Sequence, residues 1–445
     1  MAGCGNVAAS PVKAPSTEVG LAPVVARHDL RLASTQPVDT EGDSAGAAAP
    51  LKAASRFGHL ESADRLSRVF EALADLEDGR SHDDVRMMQY GDSHTASDVE
   101  SATLRRQLQA RFGDGGRGFV SLGKPWKTYV QDGIRGGMTK DFEPRRTRFE
   151  DGRPSGDGCY GLVGVAIGSD RPGARAWTQL SLPASRIEIE YWQQPRGGSF
   201  DVFIDGSHAG RIATRSPQQD GGSFAFDVAE APHQIEVRTV GDGDVRVFGM
   251  DLDRPRAGVV LDALGINGAQ VFTALRWSED HFAKQLSRRA PDLVILAYGT
   301  NEALDSKLDL GDYERALVDL LGRVSRAVPR ASCLLLGPPD LARRGTNGDG
   351  WTTWPRVLDI VAVQRRVASA AGCAFYDQVE AMGGPGSMAA WASEPEPRGG
   401  HDRVHLTRTG YDLLGTTIAA DFTHAYDAWR SDNAGAHRTW GVAAR

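Results

Sequence analysis

Asp402-Arg403-Val404-His405 sets a carboxylate and an imidazole three positions apart on one short segment. A neutral imidazole oriented by a carboxylate is the base that a weak oxygen nucleophile needs. Ser93, in Gly91-Asp92-Ser93-His94, is the candidate nucleophile. A serine that attacks a carbonyl creates an oxyanion, which requires hydrogen-bond donors. Gly265-Ile266-Asn267-Gly268 and Gly299-Thr300-Asn301-Glu302 are segments where such donors can sit. Such residues suit acyl transfer from an ester, with no metal or organic cofactor.

The elements around them place all four segments where they can meet. Val85 to Tyr90 reads as a short strand ending at Gly91, and Ser97-Asp98-Val99-Glu100 has the form of a capping box opening a helix to about Phe112. Strands are expected at Gly258 to Leu264, Leu293 to Tyr298, Cys333 to Leu336 and Ala374 to Tyr376. Helices are expected at Glu61 to Asp78, Asp280 to Arg289, Tyr313 to Ala327, Arg356 to Ala371 and Thr409 to Trp429. This alternation predicts a parallel sheet, with the candidate residues at the carboxyl ends of its strands or, for Asp402 and His405, just before the last helix, so that all can face one crevice where open α/β folds build their sites. Between about Ser155 and Asp253 the texture changes to strand-like runs separated by turn signals, such as Ala176 to Leu182, Arg186 to Trp192 and Gln234 to Val240. That stretch predicts an inserted β-sandwich.

The expected organisation is a linker or tether over 1–55, an α/β part over 56–155, the sandwich over 156–254, a second α/β part over 255–432 and a tail over 433–445. A net charge of −7 and the lack of a basic run argue against nucleic acid as a partner. No apolar stretch is long enough to span a bilayer. The four cysteines, Cys4, Cys159, Cys333 and Cys373, lack metal-finger spacing. Cys333 and Cys373 open two strand-like runs, and both a disulfide and two buried thiols stand as readings. Met1-Ala2-Gly3-Cys4 has the form of the end of a bacterial lipoprotein signal, so membrane contact is expected only through a lipid on Cys4. Oligomeric state is not legible.

Gly-Asp-Ser, the second-block glycine, Gly-x-Asn and Asp-x-x-His, in this order, resemble the sequence blocks of SGNH (GDSL-type) hydrolases. The resemblance implies a flavodoxin-like three-layer α/β/α hydrolase domain. It gives Ser93 as nucleophile, His405 as base, Asp402 as its orienting carboxylate, and Ser93, Gly268 and Asn301 as the oxyanion hole. His94 after the serine, with a sandwich between the first two blocks, is similar to bacterial peptidoglycan O-acetylesterases, whose insert resembles a carbohydrate-binding domain. That likeness implies O-acetyl removal from an acetylated cell-envelope glycan, in the periplasm or outside the cell. The same triad would serve acetyl transfer to a sugar or hydrolysis of lipid and aryl esters. A catalytically silent carbohydrate-binding protein is the rival from another class.

Three further residues are candidate substrate contacts: His94, Trp391 and Glu302. Each also has a structural reading, as packing under the crevice, a packed indole and a cap. Trp177, Tyr191 and Trp192 of the insert carry the same ambiguity between sugar stacking and packing. Asp242 and Asp244 read as turn residues rather than calcium ligands.

Overall fold

Val85–Gly91 buries Val85, Met87, Met88 and Tyr90 almost completely, as expected of a strand covered on both faces. In the computed structural model, which describes residues 58–147, 156–345 and 350–440, this strand lies inside a six-stranded sheet. The spatial order is Leu60–Glu61, Ala374–Tyr376, Ser332–Leu336, Leu293–Ala297, Val85–Gly91, Val259–Gly265. All neighbours are parallel except the short Leu60–Glu61 edge. Chain order therefore reverses beside Val85–Gly91, giving the flavodoxin-like 2-1-3-4-5 arrangement and its crevice at the reversal.

Helices cover both faces. Leu310–Ala327 buries Tyr313, Leu317, Leu320 and Val324 at helical spacing, and Asp309 caps it by accepting from the Gly311 and Asp312 N–H groups. On the other face the last helix, Arg408–Trp440, buries Tyr411, Leu414, Ile418 and Phe422 against Phe70 and Leu104. This helix runs on through residues expected to be a tail. The capping box expected at Ser97–Glu100 does not form. Ser97 Oγ donates to the His94 carbonyl, and the Glu100 carboxylate turns inward to Gln89 and Gln378. Among the described residues no helix is long and apolar enough to cross a membrane. Cys333 and Cys373 form a disulfide between adjacent strands. The expected linker and Cys4 lie outside the described residues.

The β-rich part has two sheets around an apolar core that includes Ile187, Ile189, Phe200, Val202, Val237 and Val247. One sheet has five strands and the other six, the latter with Gly116–Val120 paired to Val245–Asp253. Gly116–Val120, Ile134–Met138 and Glu143–Arg146 belong to these sheets, so the sandwich begins well before the expected boundary at 156. Short polar strands with paired glycines, such as Ile134-Arg135-Gly136-Gly137-Met138, carry too little apolar alternation to be read in advance. Asp242 accepts from the Ser199 N–H and hydroxyl, and Asp244 pairs with Arg145, so both carboxylates serve turns.

The two parts share a core. Phe119, Tyr160, Leu162 and Val165 pack in one cluster with Met88, Tyr90 and Val294 of the α/β sheet. Buried Arg289 makes a bidentate pair with Asp262 of Val259–Gly265, at 2.8 and 2.9 Å, and also pairs with Asp251 of the sandwich at 3.2 Å. Removing one partner of such a buried network costs about 3–5 kcal/mol.

Candidate active site

Three strand ends arrive at one level, because Gly91 is in register with Gly265 on one side and Ala297 on the other. The short helix Ser93–Ala96 is pressed onto them. A Cβ at Gly91 would come within 2.2 Å of Thr95 Oγ1, and one at Gly265 within 2.1 Å of the Ala96 N. Close approach, not a turn conformation, requires glycine at both positions. Asp92 caps the helix, accepting from the His94 N–H at 2.9 Å, and this holds Ser93 at the first helical position. A first-turn N–H has no intrahelical acceptor, so the Ser93 N–H points out of the helix start.

The second turn is built differently. The Gly400 N–H donates to the His405 carbonyl at 2.7 Å, and the Arg403 N–H to the Gly400 carbonyl at 3.0 Å. Asp402 Oδ1 accepts from the Val404 and His405 N–H groups at 3.0 and 2.9 Å. Its other oxygen lies 2.7 Å from His405 Nδ1, and His405 Nε2 lies 2.8 Å from Ser93 Oγ. The Asp402 and His405 side chains are 45 % and 43 % exposed, so this chain of hydrogen bonds faces solvent. Against the burial that raises it, bonds from the His405 ring and from two N–H groups hold the Asp402 carboxyl well below its usual range. The hydrogen bond to Asp402 raises His405 above the ordinary histidine value.

Gly268 sits in a turn at φ 72°, a conformation that glycine accepts without strain. Asn301 follows Leu293–Ala297 and its side-chain N–H donates to the Ala269 carbonyl at 2.8 Å, joining the two turns and leaving its second N–H for another acceptor. Asn267 Oδ1 accepts from Trp126 Nε1 and Thr128 Oγ1, which bind this turn to the segment entering the sandwich. Neither contact has a sequence signature.

The three candidate substrate contacts lie elsewhere than on an open surface. Glu302 is fully buried and accepts from the Val271 and Gly299 N–H groups at 2.7 and 3.1 Å. It locks the second and third blocks together, while burial pushes its carboxyl up to about 8. Trp391 is 5 % exposed and lies under the Arg398 guanidinium, 4.4 Å from its centroid. His94 is buried, with Nδ1 2.8 Å from Tyr411 Oη and its ring 5.3 Å from that of His405. Burial lowers it to about 3, so it stays neutral beside the base. Burial likewise raises Asp92 to about 6 and Glu100 to about 7. These groups close around a cavity of about 10 Å³, on the order of one water. Among the described residues no group of three His, Cys, Asp or Glu converges to hold a metal ion. The open edge can accept a proton from Ser93 Oγ at His405 Nε2, with N–H donors nearby.

Residues 239–413 match the GDSL-like Lipase/Acylhydrolase family model. The match spans Gly268, Asn301, Asp402 and His405 but starts after Ser93, which the sandwich separates in sequence. A solved structure described as a peptidoglycan O-acetylesterase in action is 25 % identical, with a TM-score of 0.70 over 83 % of this chain and 100 % of that one. A family two carbohydrate esterase from Cellvibrio japonicus is 14 % identical with a TM-score of 0.27, over 66 % of this chain and 98 % of that one. That superposition is too partial to argue from. No curated protein matches the sequence. Residues 239–413 thus form a GDSL-like lipase/acylhydrolase domain, and the protein is a carboxylic ester hydrolase with the SGNH hydrolase fold.

Proposed function

We propose that this hydrolase removes O-acetyl groups from a cell-envelope glycan of the peptidoglycan type, through an acyl-enzyme on Ser93. In this reading Ser93 Oγ attacks the acetyl carbonyl as its proton passes to His405 Nε2. Asp402 keeps the remaining proton on Nδ1 and stabilises the imidazolium. The Ser93 and Gly268 N–H groups and the free amide N–H of Asn301 receive the oxyanion. Collapse of the tetrahedral intermediate breaks the ester C–O bond, and His405 returns the proton to the departing sugar hydroxyl. Water then attacks the acetyl-serine with His405 again as base, releasing acetate and Ser93.

The observation that carries the substrate class is the likeness at TM-score 0.70. Its coverage is too large for the α/β part alone to supply. The disulfide Cys333–Cys373 supports an oxidising compartment, as an envelope location requires. A lipid on Cys4 belongs to the same proposal and would show in the mass of the mature N-terminus. The sandwich's five-stranded sheet supports a carbohydrate-facing role. Trp177 there is 38 % exposed and lies over Gly137, where a Cβ would come within 2.8 Å of the indole, beside Arg175, Gln179 and Glu236. Acetate release from acetylated peptidoglycan, xylan and chitin oligomers tests the reading. Faster release from peptidoglycan supports it, and preference for xylan or chitin overturns it. Acetylated acceptor instead of free acetate would make the enzyme a transferase.

A further inference from the structure

We infer that Arg403 and Arg344, held on Trp351, form a subsite beside the triad for a carboxylate carried by the glycan substrate. This deepens the reading above and rests on it. Arg403 lies between Asp402 and His405, with a left-handed backbone at φ 56°, a conformation bulky residues rarely adopt. Its carbonyl accepts from the Ala342 N–H at 3.0 Å, tying it to the hairpin of Ala342–Arg344 and Trp351–Thr353. Its guanidinium stands 3.8 Å from the centroid of Trp351, and that of Arg344 stands 5.1 Å from the same ring.

Two cations on one indole repel each other unless an anion joins them. Among the described residues neither has a carboxylate within ion-pair distance. Several other arginines of this part are ion-paired, Arg398 with Glu394, Arg365 with Glu61 and Asp377, and Arg366 with Glu314, whereas Arg403 and Arg344 share one indole without a counter-ion. Arg403 makes one hydrogen bond, from Nη1 to the His401 carbonyl, and its buried Nε has no partner. A planar donor fork with unused N–H groups, fixed by stacking, matches a carboxylate. Arg403 is two residues from His405, so their Cα atoms are at most about 7 Å apart, and one turn carries both the fork and the base. In a chain with 58 acidic and 51 basic residues, unpaired arginines at this turn favour an anionic ester over a neutral one.

The carboxylate could sit on a lactyl group of the saccharide or on an attached peptide, and separate substrates distinguish these. The test measures kcat/KM for Arg344→Gln and Arg403→Gln on four esters. These are an O-acetylated saccharide with a lactyl carboxylate, the same with a peptide, its amidated form and a small neutral aryl acetate. Each variant is expected to lose about tenfold or more on the carboxylate ester relative to the aryl acetate. Amidation of the glycan should cost the parent a similar factor. Equal fractional losses on charged and neutral esters would make the stack structural and overturn the proposal, as would indifference of the parent to amidation. If no glycan releases acetate, the substrate reading fails. The subsite is then decided by competition, with the unacetylated carboxylate saccharide expected to inhibit aryl acetate hydrolysis more than its amide.

Discussion

The two turns that meet at Ser93 Oγ are held by opposite means. The Asp92-Ser93 turn is fixed by packing: its neighbours leave no room for a Cβ at Gly91 or Gly265, and the Asp92 carboxyl is buried and raised to about 6. The Asp402–His405 turn is fixed by its own hydrogen bonds, its carboxylate is nearly half exposed, and it titrates low. The nucleophile thus sits on rigid, buried ground, while the acid and its base sit in a polar, solvent-facing loop. Position and electrostatics are supplied by different regions, so they should be separable by mutation.

The largest effect expected is from Ser93→Ala, a loss of roughly 10⁴–10⁶-fold in kcat on a small acetyl ester. The melting temperature should hardly move, since the hydroxyl carries little packing. Retention of a tenth of the parent rate would remove Ser93 from the proposed role.

Asp402→Asn should cost roughly 10⁴-fold and act on the pH profile as well. Asp402 favours the imidazolium, so His405 loses its proton only above the ordinary histidine pKa, and kcat/KM should rise with pH through that raised value. Without the carboxylate the acid limb should move to lower pH while the plateau falls. An unmoved limb would assign the titration to another group. Combining Asp402→Asn with Ser93→Ala should add almost nothing, because the groups act as one unit.

Asn301→Ala is expected to lower kcat by roughly 10²–10³-fold, as for loss of one oxyanion donor. Because Asn301 also bonds the Ala269 carbonyl, hydrogen exchange around Gly268 should quicken too. A change confined to KM would place Asn301 in ground-state binding.

Gly265→Ala probes the packed turn directly. The added methyl meets backbone, so about 1–3 kcal/mol of stability should be lost, together with some activity. A stable variant with full activity would show that the short helix is not held by close approach.

The last contrast concerns the sandwich, where excision and a single surface substitution should differ most. Replacing Gly156 to Arg254 by a short linker would be tolerable for a bead-like insert, since loop closure costs grow slowly with length. Here it would strip Tyr160, Leu162 and Val165 from the shared core and leave Arg289 without Asp251. We expect no folded product by circular dichroism. Trp177→Ala should fold normally and slow only polymeric substrates, by a few-fold. A folded excision variant would mean that the shared core is dispensable.

Much of this architecture is legible in the sequence. The apolar strand runs and 3.6-residue helix stripes mark the α/β alternation, because burial on a fixed period leaves a trace in one sequence. Asp402 and His405 are legible together because a short stretch of chain suffices to bring them into contact. The sandwich's first strands are not: Gly116–Val120 pairs with a strand over a hundred residues away, as Gly118 with Leu252 does, and Ile134–Met138 and Glu143–Arg146 are short and carry little apolar alternation. His94, Glu302 and Trp391 have the residue types of substrate contacts, yet burial makes each a support, and a polar residue's exposure has no local signature. Trp126 and Thr128 leave no trace for the same reason.

By itself the sequence determined which residues could do the chemistry and that strand ends, or the turn before the last helix, would present them. That follows from residue type, short-range spacing and periodicity, all of which are local. Only the tertiary structure decided that Ser93 and His405, 312 positions apart, lie 2.8 Å from each other. It also decided that Arg403 faces Trp351 and that the sandwich shares the hydrolase core. Those outcomes depend on sheet order and packing among distant segments, whose free energy is set by contacts that no single stretch of chain contains.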